Sequence, residues 1–287
     1  MFSSSFEYYR AGSVAEVQKL WKQHPDAKVL AGGHSLIPLL KLRLATPPAL
    51  IDIGRIKALR GIKVSGKKIR IGALTTHTDL ATSAALISSC PMLAEAASHI
   101  GDPQVRNHGT IGGNIAHADP ASDLPTVLLA LDAVFTVVGP RKERTIKAAD
   151  FFEGMMATAL QDREILTTID VPAKAAGTGM SYAKFSHPAS RYAVLGAAAA
   201  VSTKNGACTA ARVTIGGLLP ATVRAEAVEA ALVGKKATPD VIEKASALVS
   251  KSLGKDVLED VYASASYRAA MAPVYVKRAL TAAFARA

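Results

Sequence analysis

Lys28 to Ala31 is a short apolar run that stops at Gly32-Gly33, and from Leu36 to Leu44 leucines and an isoleucine recur at helical spacing. That pattern predicts a strand, a glycine turn and a helix. Pro38 falls in the helix's first turn, where its missing N–H costs little. Leu50 to Ile53 reads as a buried strand after the Thr46-Pro47-Pro48 turn, so residues 1–55 form a β-α-β-like unit. The pattern then changes: Ile62–Val64 and Ile69–Ile71 flank Ser65-Gly66-Lys67-Lys68, as a hairpin would. Ala-rich periodic stretches at Asp79–Ser88 and Met92–His99 predict helices, with Thr76 or Thr78 as N-cap. From Gly101 to Asp123 no periodicity is visible, and a loop of 23 residues is unusual unless it binds something. Helix Leu124–Leu131, strand Ala133–Val138, a basic turn and strand Glu164–Val171 complete a second unit, residues 56–175.

Pro172 to Gly179 has a linker's composition. Beyond it, strand-like runs at Ser181–Phe185, Ala193–Ser202 and Cys208–Gly216 predict a three-stranded antiparallel sheet, the last two joined by Asn205-Gly206, a strong hairpin signal. Helical patterns at Ala225–Val233, Pro239–Leu253 and Ser264–Ala287 close the chain. Strands followed by helices predict a separate α+β domain at 176–287.

Composition narrows the function. With 49% hydrophobic residues in 287, the chain folds, and its longest apolar run, Ala193 to Val201, is far short of the ~20 residues a spanning helix needs. The N-terminal residues 1–10 are acidic and aromatic where a signal peptide is basic and then apolar, so a cytoplasmic location is expected. Cys90 and Cys208 stand alone without ligand spacing, so no zinc or iron-sulfur site is expected in this chain. The net charge of +11 favours an anionic partner. Its Lys and Arg lie in short dispersed groups with few aromatics, which argues against a nucleic-acid module.

Two segments carry chemistry. Ala31-Gly32-Gly33-His34-Ser35, between strand and helix, has the outline of a phosphate site: glycines admit close backbone approach, and the helix start contributes positive potential. Ser35 either bonds a phosphate oxygen or caps the helix. Gly109-Thr110-Ile111-Gly112-Gly113-Asn114 repeats the device, with Asp119 and Asp123 downstream as acceptors for ribose or ribityl hydroxyls, although Asp123 also stands where an N-cap would. Two such loops some 80 residues apart suit a ligand with two phosphates held in a cleft. G-x-G-x-x-G after a strand and G-x-x-x-x-G-K-[ST] are both absent, which removes the Rossmann and P-loop classes.

A-G-G-H-S-L-I-P at 31–38, T-I-G-G-N at 110–114 and A-D-P-A-S-D at 118–123 resemble the FAD-binding medium subunit of molybdenum hydroxylases, the group containing aerobic carbon monoxide dehydrogenase and xanthine dehydrogenase. The resemblance spans the chain. It implies an α+β vanillyl-alcohol-oxidase-type FAD fold in two subdomains, 1–55 and 56–175, plus a flavoprotein C-terminal domain at 176–287. It further implies non-covalent FAD held by Ala31, Gly32, Gly33, His34, Ser35 and Leu36, by Thr110, Ile111, Gly112, Gly113 and Asn114, and by Asp119 and Asp123. Leu166 and Lys184 match further cofactor-contacting positions, Lys184 being alternatively a solvent-facing strand residue. Tyr192 stands where relatives place a residue near the isoalloxazine ring, or else is core. The implied partners are a large molybdopterin subunit and a small iron-sulfur subunit carrying 2Fe-2S clusters, in a dimer of heterotrimers, with a quinone, a cytochrome, oxygen or NAD as electron acceptor. A stand-alone flavin oxidase or dehydrogenase of this fold and a flavin-less assembly module are the rival readings.

Overall fold

The computed structural model describes residues 2–287. The first unit is β1 (Glu7–Arg10), α1 (Val14–Gln23), β2 (Lys28–Leu30), α2 (Leu36–Lys41) and β3 (Ala49–Asp52), with a parallel sheet in the order β1-β3-β2. Central β3 is apolar on both faces, as a covered parallel strand must be. Val17 and Trp21 of α1 pack against it, and the Trp21 indole donates to the Ala27 carbonyl at 2.9 Å, so its one polar atom is satisfied in the core. The hydrophobic pattern missed β1 and α1, because α1 buries only these two residues.

The second unit holds β4 (Ile62–Ser65), β5 (Lys68–Gly72), α3 (His77–Thr82), α4 (Ala84–Ser89), α5 (Pro91–Ser98), α6 (Pro103–His108), α7 (Ile111–His117), α8 (Asp123–Ala130), β6 (Val134–Val138), β7 (Glu143–Lys147), β8 (Phe152–Gly154), β9 (Ala157–Thr158) and β10 (Ile165–Pro172). Its antiparallel sheet runs β4-β5-β10-β6-β7, and helices α3 to α5 and α8 cover a core that includes Leu93, Leu128, Phe135 and Phe151. Thr76 rather than Thr78 caps α3, in a reciprocal capping box with Asp79. Ser83 ends α3 and caps α4, splitting the single helix expected over 79–88. The basic turn contains β7 and the β8–β9 hairpin.

The expected loop at 101–123 is instead largely helical. Asp102 caps α6 by accepting from the Val105 N–H, Pro103 opens it, and Thr110 caps α7 by accepting from the Gly113 N–H. Neither shows in the pattern, since α6 buries no residue and α7 carries two glycines.

The third unit comprises β11 (Thr178–Ser186), β12 (Ala193–Lys204), β13 (Ala207–Gly216), β14 (Val223–Arg224), α9 (Glu226–Leu232), α10 (Pro239–Ala247) and α11 (Ala265–Ala285). Its antiparallel sheet has four strands, β11-β12-β13-β14, because two-residue β14, too short to read from sequence, pairs with β13 at Thr214 and Ile215. Asn205 and Gly206 both have positive φ, as a tight primed hairpin requires. Helix α11 lies across β11 and β12. Among the described residues no helix is long and apolar enough to cross a membrane.

Candidate functional site

A cleft of about 1070 Å³ opens where the three sheets meet, with walls from β2 and the turn after it, from residues 100–123, from 160–166 and from Ser190, Arg191 and Tyr192. It lies just above the ~300–1,000 Å³ common for small-ligand pockets.

The turn between β2 and α2 forms one wall. Gly33 has φ +76°, a left-handed conformation that β-carbon sterics disfavour. A Cβ on Gly32 would lie 2.1 Å from the His108 carbonyl oxygen, so this turn packs directly on the end of α6. Among the described residues the backbone N–H groups of Gly33, His34 and Ser35 meet no acceptor in the chain, and Ser35 makes no side-chain cap bond. Three successive free donors make an anion-binding concavity. The His34 Nδ1 lies 2.9 Å from the Gly32 carbonyl, and its ring stacks on His108 with centroids 5.5 Å apart.

The second glycine segment works differently. In α7 the Ile111 N–H donates to Thr75, the Gly112 N–H to Ala73 and the Gly113 N–H to the Thr110 hydroxyl, so the helix's first donors are committed. What it offers the cleft is side-chain chemistry: the Asn114 carbonyl accepts from the Ser122 hydroxyl at 2.7 Å, leaving the amide NH2 as a donor. The two segments meet, with a Cβ on Gly113 falling within 3.9 Å of Ala31.

Asp123, at the start of α8, is buried on the cleft wall. Its Oδ1 accepts from the Tyr182 hydroxyl at 2.6 Å and its Oδ2 from the Lys184 ammonium at 2.8 Å. Burial pushes the Asp123 carboxyl up, opposed by Lys184, the Tyr182 hydrogen bond and His99. Burial and the adjacent carboxylate push the Tyr182 phenol well above its usual value, so it remains a donor. His77, which also lines the cleft, is 3% exposed, and among the described residues its Nδ1 has no partner. Burial, with His34 and Arg106 nearby, lowers it to about 4, so it is neutral at physiological pH.

Of the residues singled out in the sequence, Ala31 to Leu36, Thr110, Gly112, Gly113, Asn114, Asp123, Leu166 and Tyr192 line the cleft together. Three do not. Ile111 is fully buried core, Asp119 closes a turn by accepting from the Ala121 N–H at 2.9 Å, and Lys184 is sealed behind Asp123 with its side chain 1% exposed. Sequence reasoning missed His77 and Arg191. His77 carries no motif beyond following the Thr76 cap, whereas the positive φ of Arg191 belongs to the loop that brings Tyr192 to the mouth. Among the described residues no three His, Cys, Asp or Glu side chains form a metal-holding group.

Residues 4–174 match the FAD binding domain in molybdopterin dehydrogenase, and residues 180–283 match the CO dehydrogenase flavoprotein C-terminal domain. The carbon monoxide dehydrogenase medium chain of Hydrogenophaga pseudoflava is 42% identical, over 100% of this chain and 99% of its own. The nicotine 6-hydroxylase medium subunit of Paenarthrobacter nicotinovorans is 34% identical, over 98% of each. A solved structure of the Hydrogenophaga pseudoflava carbon monoxide dehydrogenase superposes with a TM-score of 0.95 at 44% identity, covering 100% of this chain and 99% of that one. With both family domains present in order and relatives matched end to end, the chain belongs to the FAD-binding medium subunits of molybdenum hydroxylases such as carbon monoxide dehydrogenase.

Proposed function

We propose that this chain is the electron-transfer subunit of a three-component molybdenum hydroxylase. In that complex substrate is oxidised at a molybdenum cofactor on a large partner, 2Fe-2S clusters on a small partner relay the electrons, and this chain passes them to an external acceptor. The observation that carries the reading is the cleft itself, lined both by the Gly33 to Ser35 segment with its free N–H groups and by the buried carboxyl acceptor of Asp123.

These residues fit FAD. The Gly33, His34 and Ser35 amides donate to a diphosphate, and the Asn114 amide adds a side-chain donor. Asp123 accepts from sugar or ribityl hydroxyls, and the unpartnered Nδ1 of neutral His77 leaves a polar atom in the lining of the same cleft. Leu166 and Tyr192 give the cavity apolar and aromatic surface. When bound, the flavin supplies a carrier that accepts electrons singly and releases them in pairs. No side chain forms a covalent link in this reading. The two cysteines, both buried and free, fall short of the four thiolates a 2Fe-2S cluster takes, which supports housing the clusters on a partner. Relatives named for carbon monoxide and for nicotine at comparable identity support a substrate chosen by the large partner. The reading includes a cytoplasmic dimer of heterotrimers, with a quinone, a cytochrome, oxygen or NAD as acceptor.

Purified with its partners, the chain is expected to release one FAD on acid precipitation, and substrate is expected to bleach the flavin only in the full complex. Bleaching by the isolated chain would make it a stand-alone dehydrogenase. Failure of both the chain and the complex to take up FAD would leave only an assembly role.

A further inference from the structure

Asp123 belongs to the FAD-binding domain, yet both of its side-chain partners come from β11 of the C-terminal domain. Tyr182 and Lys184 alternate along that strand and so face the same side. Each donates to a different carboxylate oxygen, leaving lone pairs on both for a ligand in the cleft. The Lys184 ammonium makes one further bond, to the His99 carbonyl at 3.0 Å, so Asp123 is its counter-charge. The preceding backbone is docked from the same domain: the Ala193 N–H donates to Ala121 and the Gly217 N–H to Pro120, each at 3.0 Å. Gly196, paired with Lys184 in the sheet, makes room for the tyrosine, since a Cβ there would lie 2.3 Å from the Tyr182 hydroxyl oxygen. Glycine inside a strand weakens it and marks such close approaches.

We propose that Tyr182 and Lys184 are positioning residues, by which the C-terminal domain holds the Asp123 carboxyl charge-paired and aimed as a hydrogen-bond acceptor for the cofactor. The inference rests on the FAD reading of the cleft. The groups facing Asp123 are Tyr182 and Lys184 from β11, His99 after α5 and Tyr192 from the 187–192 loop; Glu95 on α5 accepts from the Tyr182 N–H. Without the Lys184 charge, burial of Asp123 is opposed chiefly by the Tyr182 hydrogen bond and by His99. A protonated Asp123 carboxyl holds its ligand less well, so cofactor affinity then falls as pH is lowered.

The test is FAD titration of the deflavinated complex between pH 6 and 9, for wild type, Tyr182→Phe, Lys184→Met, Asp123→Asn and the Tyr182→Phe/Asp123→Asn double variant. Tyr182→Phe is expected to raise the FAD Kd about tenfold, the scale of one hydrogen bond to a charged group, and to have a smaller effect once Asp123 is Asn, whose amide oxygen accepts only a neutral hydrogen bond. Lys184→Met is expected to weaken binding more at pH 6 than at pH 9, relative to wild type. Wild-type affinity in both variants, or losses equal at every pH and additive with Asp123→Asn, would reduce the pair to interdomain packing and overturn the inference. If Lys184→Met does not assemble, the Tyr182/Asp123 cycle decides alone. A wild-type complex that takes up no FAD would sink the flavin reading itself, and this inference with it.

Discussion

At the residue scale, Gly32 and His77 show how differently two residues lining one cleft are constrained. Gly32 is fixed by backbone approach to His108, so Gly32→Ala is expected to separate the two glycine segments and weaken FAD binding by more than about tenfold while the far-UV circular dichroism is unchanged; binding equal to wild type would mean that the segments need not touch. His77 is constrained by desolvation. The unfolded chain binds a proton at this residue near pH 6.5, whereas the folded chain resists it until about 4. The unfolded state therefore holds more protons in that window, and stability of the flavin-free chain falls as pH drops from 6.5 towards 4, by on the order of 3 kcal/mol. His77→Phe is expected to flatten that part of the pH–stability curve in urea titrations, and an unchanged slope would refute the assignment. Gly32 was legible as part of a doubled glycine after a strand. His77 was not, because burial is not written in a residue's identity.

At the element scale, strand β10 carries the middle of the antiparallel sheet and places Asp170 between Arg70 and Lys68 of β5. Burial alone would raise this carboxyl, but hydrogen bonds from Arg70 and then Lys68 prevail and lower it. A depressed carboxylate stabilises the fold above its unfolded value of about 3.9, and that contribution is lost as pH falls through the lower folded value. Arg70→Met is expected to move the midpoint of acid unfolding upward, with little change in stability at neutral pH given the exposure of the arginine. An unshifted midpoint would show that Lys68 suffices. Apolar runs revealed β5, β6 and β10, because β5 buries one face and β6 and β10 are buried along most of their length. It did not reveal α6 and α7, whose formation depends on the Asp102 and Thr110 caps and on Gly112 packing against Ala73, a contact with a residue 39 positions earlier in the chain.

At the scale of the whole molecule, the cleft is complete only when the C-terminal domain is in place, since Arg191 and Tyr192 line it and β11 anchors Asp123. Arg268 of α11 holds this arrangement from behind. Buried at 5% exposure, it donates at 2.8 Å to the carbonyl of Val194, which follows Ala193, and at 3.0 Å to that of Gly217; Ala193 and Gly217 are the two residues whose N–H groups dock the 118–123 segment. Arg268→Met leaves those carbonyls without their donor and is expected to destabilise the chain by about 3 kcal/mol, lowering both the thermal midpoint and FAD affinity. A lower midpoint with intact FAD affinity would confine Arg268 to stabilising its own domain.

The sequence by itself determined the α+β class, the hairpin at Asn205-Gly206, the helices at the chain's end and the two glycine segments, because each is set by local backbone freedom or by a periodicity that one buried face imposes. The same segments carried the resemblance to the family. Only the tertiary structure decided that the segments touch, that α7 spends its first N–H groups on its own fold, and that Lys184 faces Asp123 rather than the cleft. Those outcomes depend on residues distant in the chain being brought within a few ångströms, where desolvation and charge pairing act; neither is a property of a residue and its neighbours in sequence.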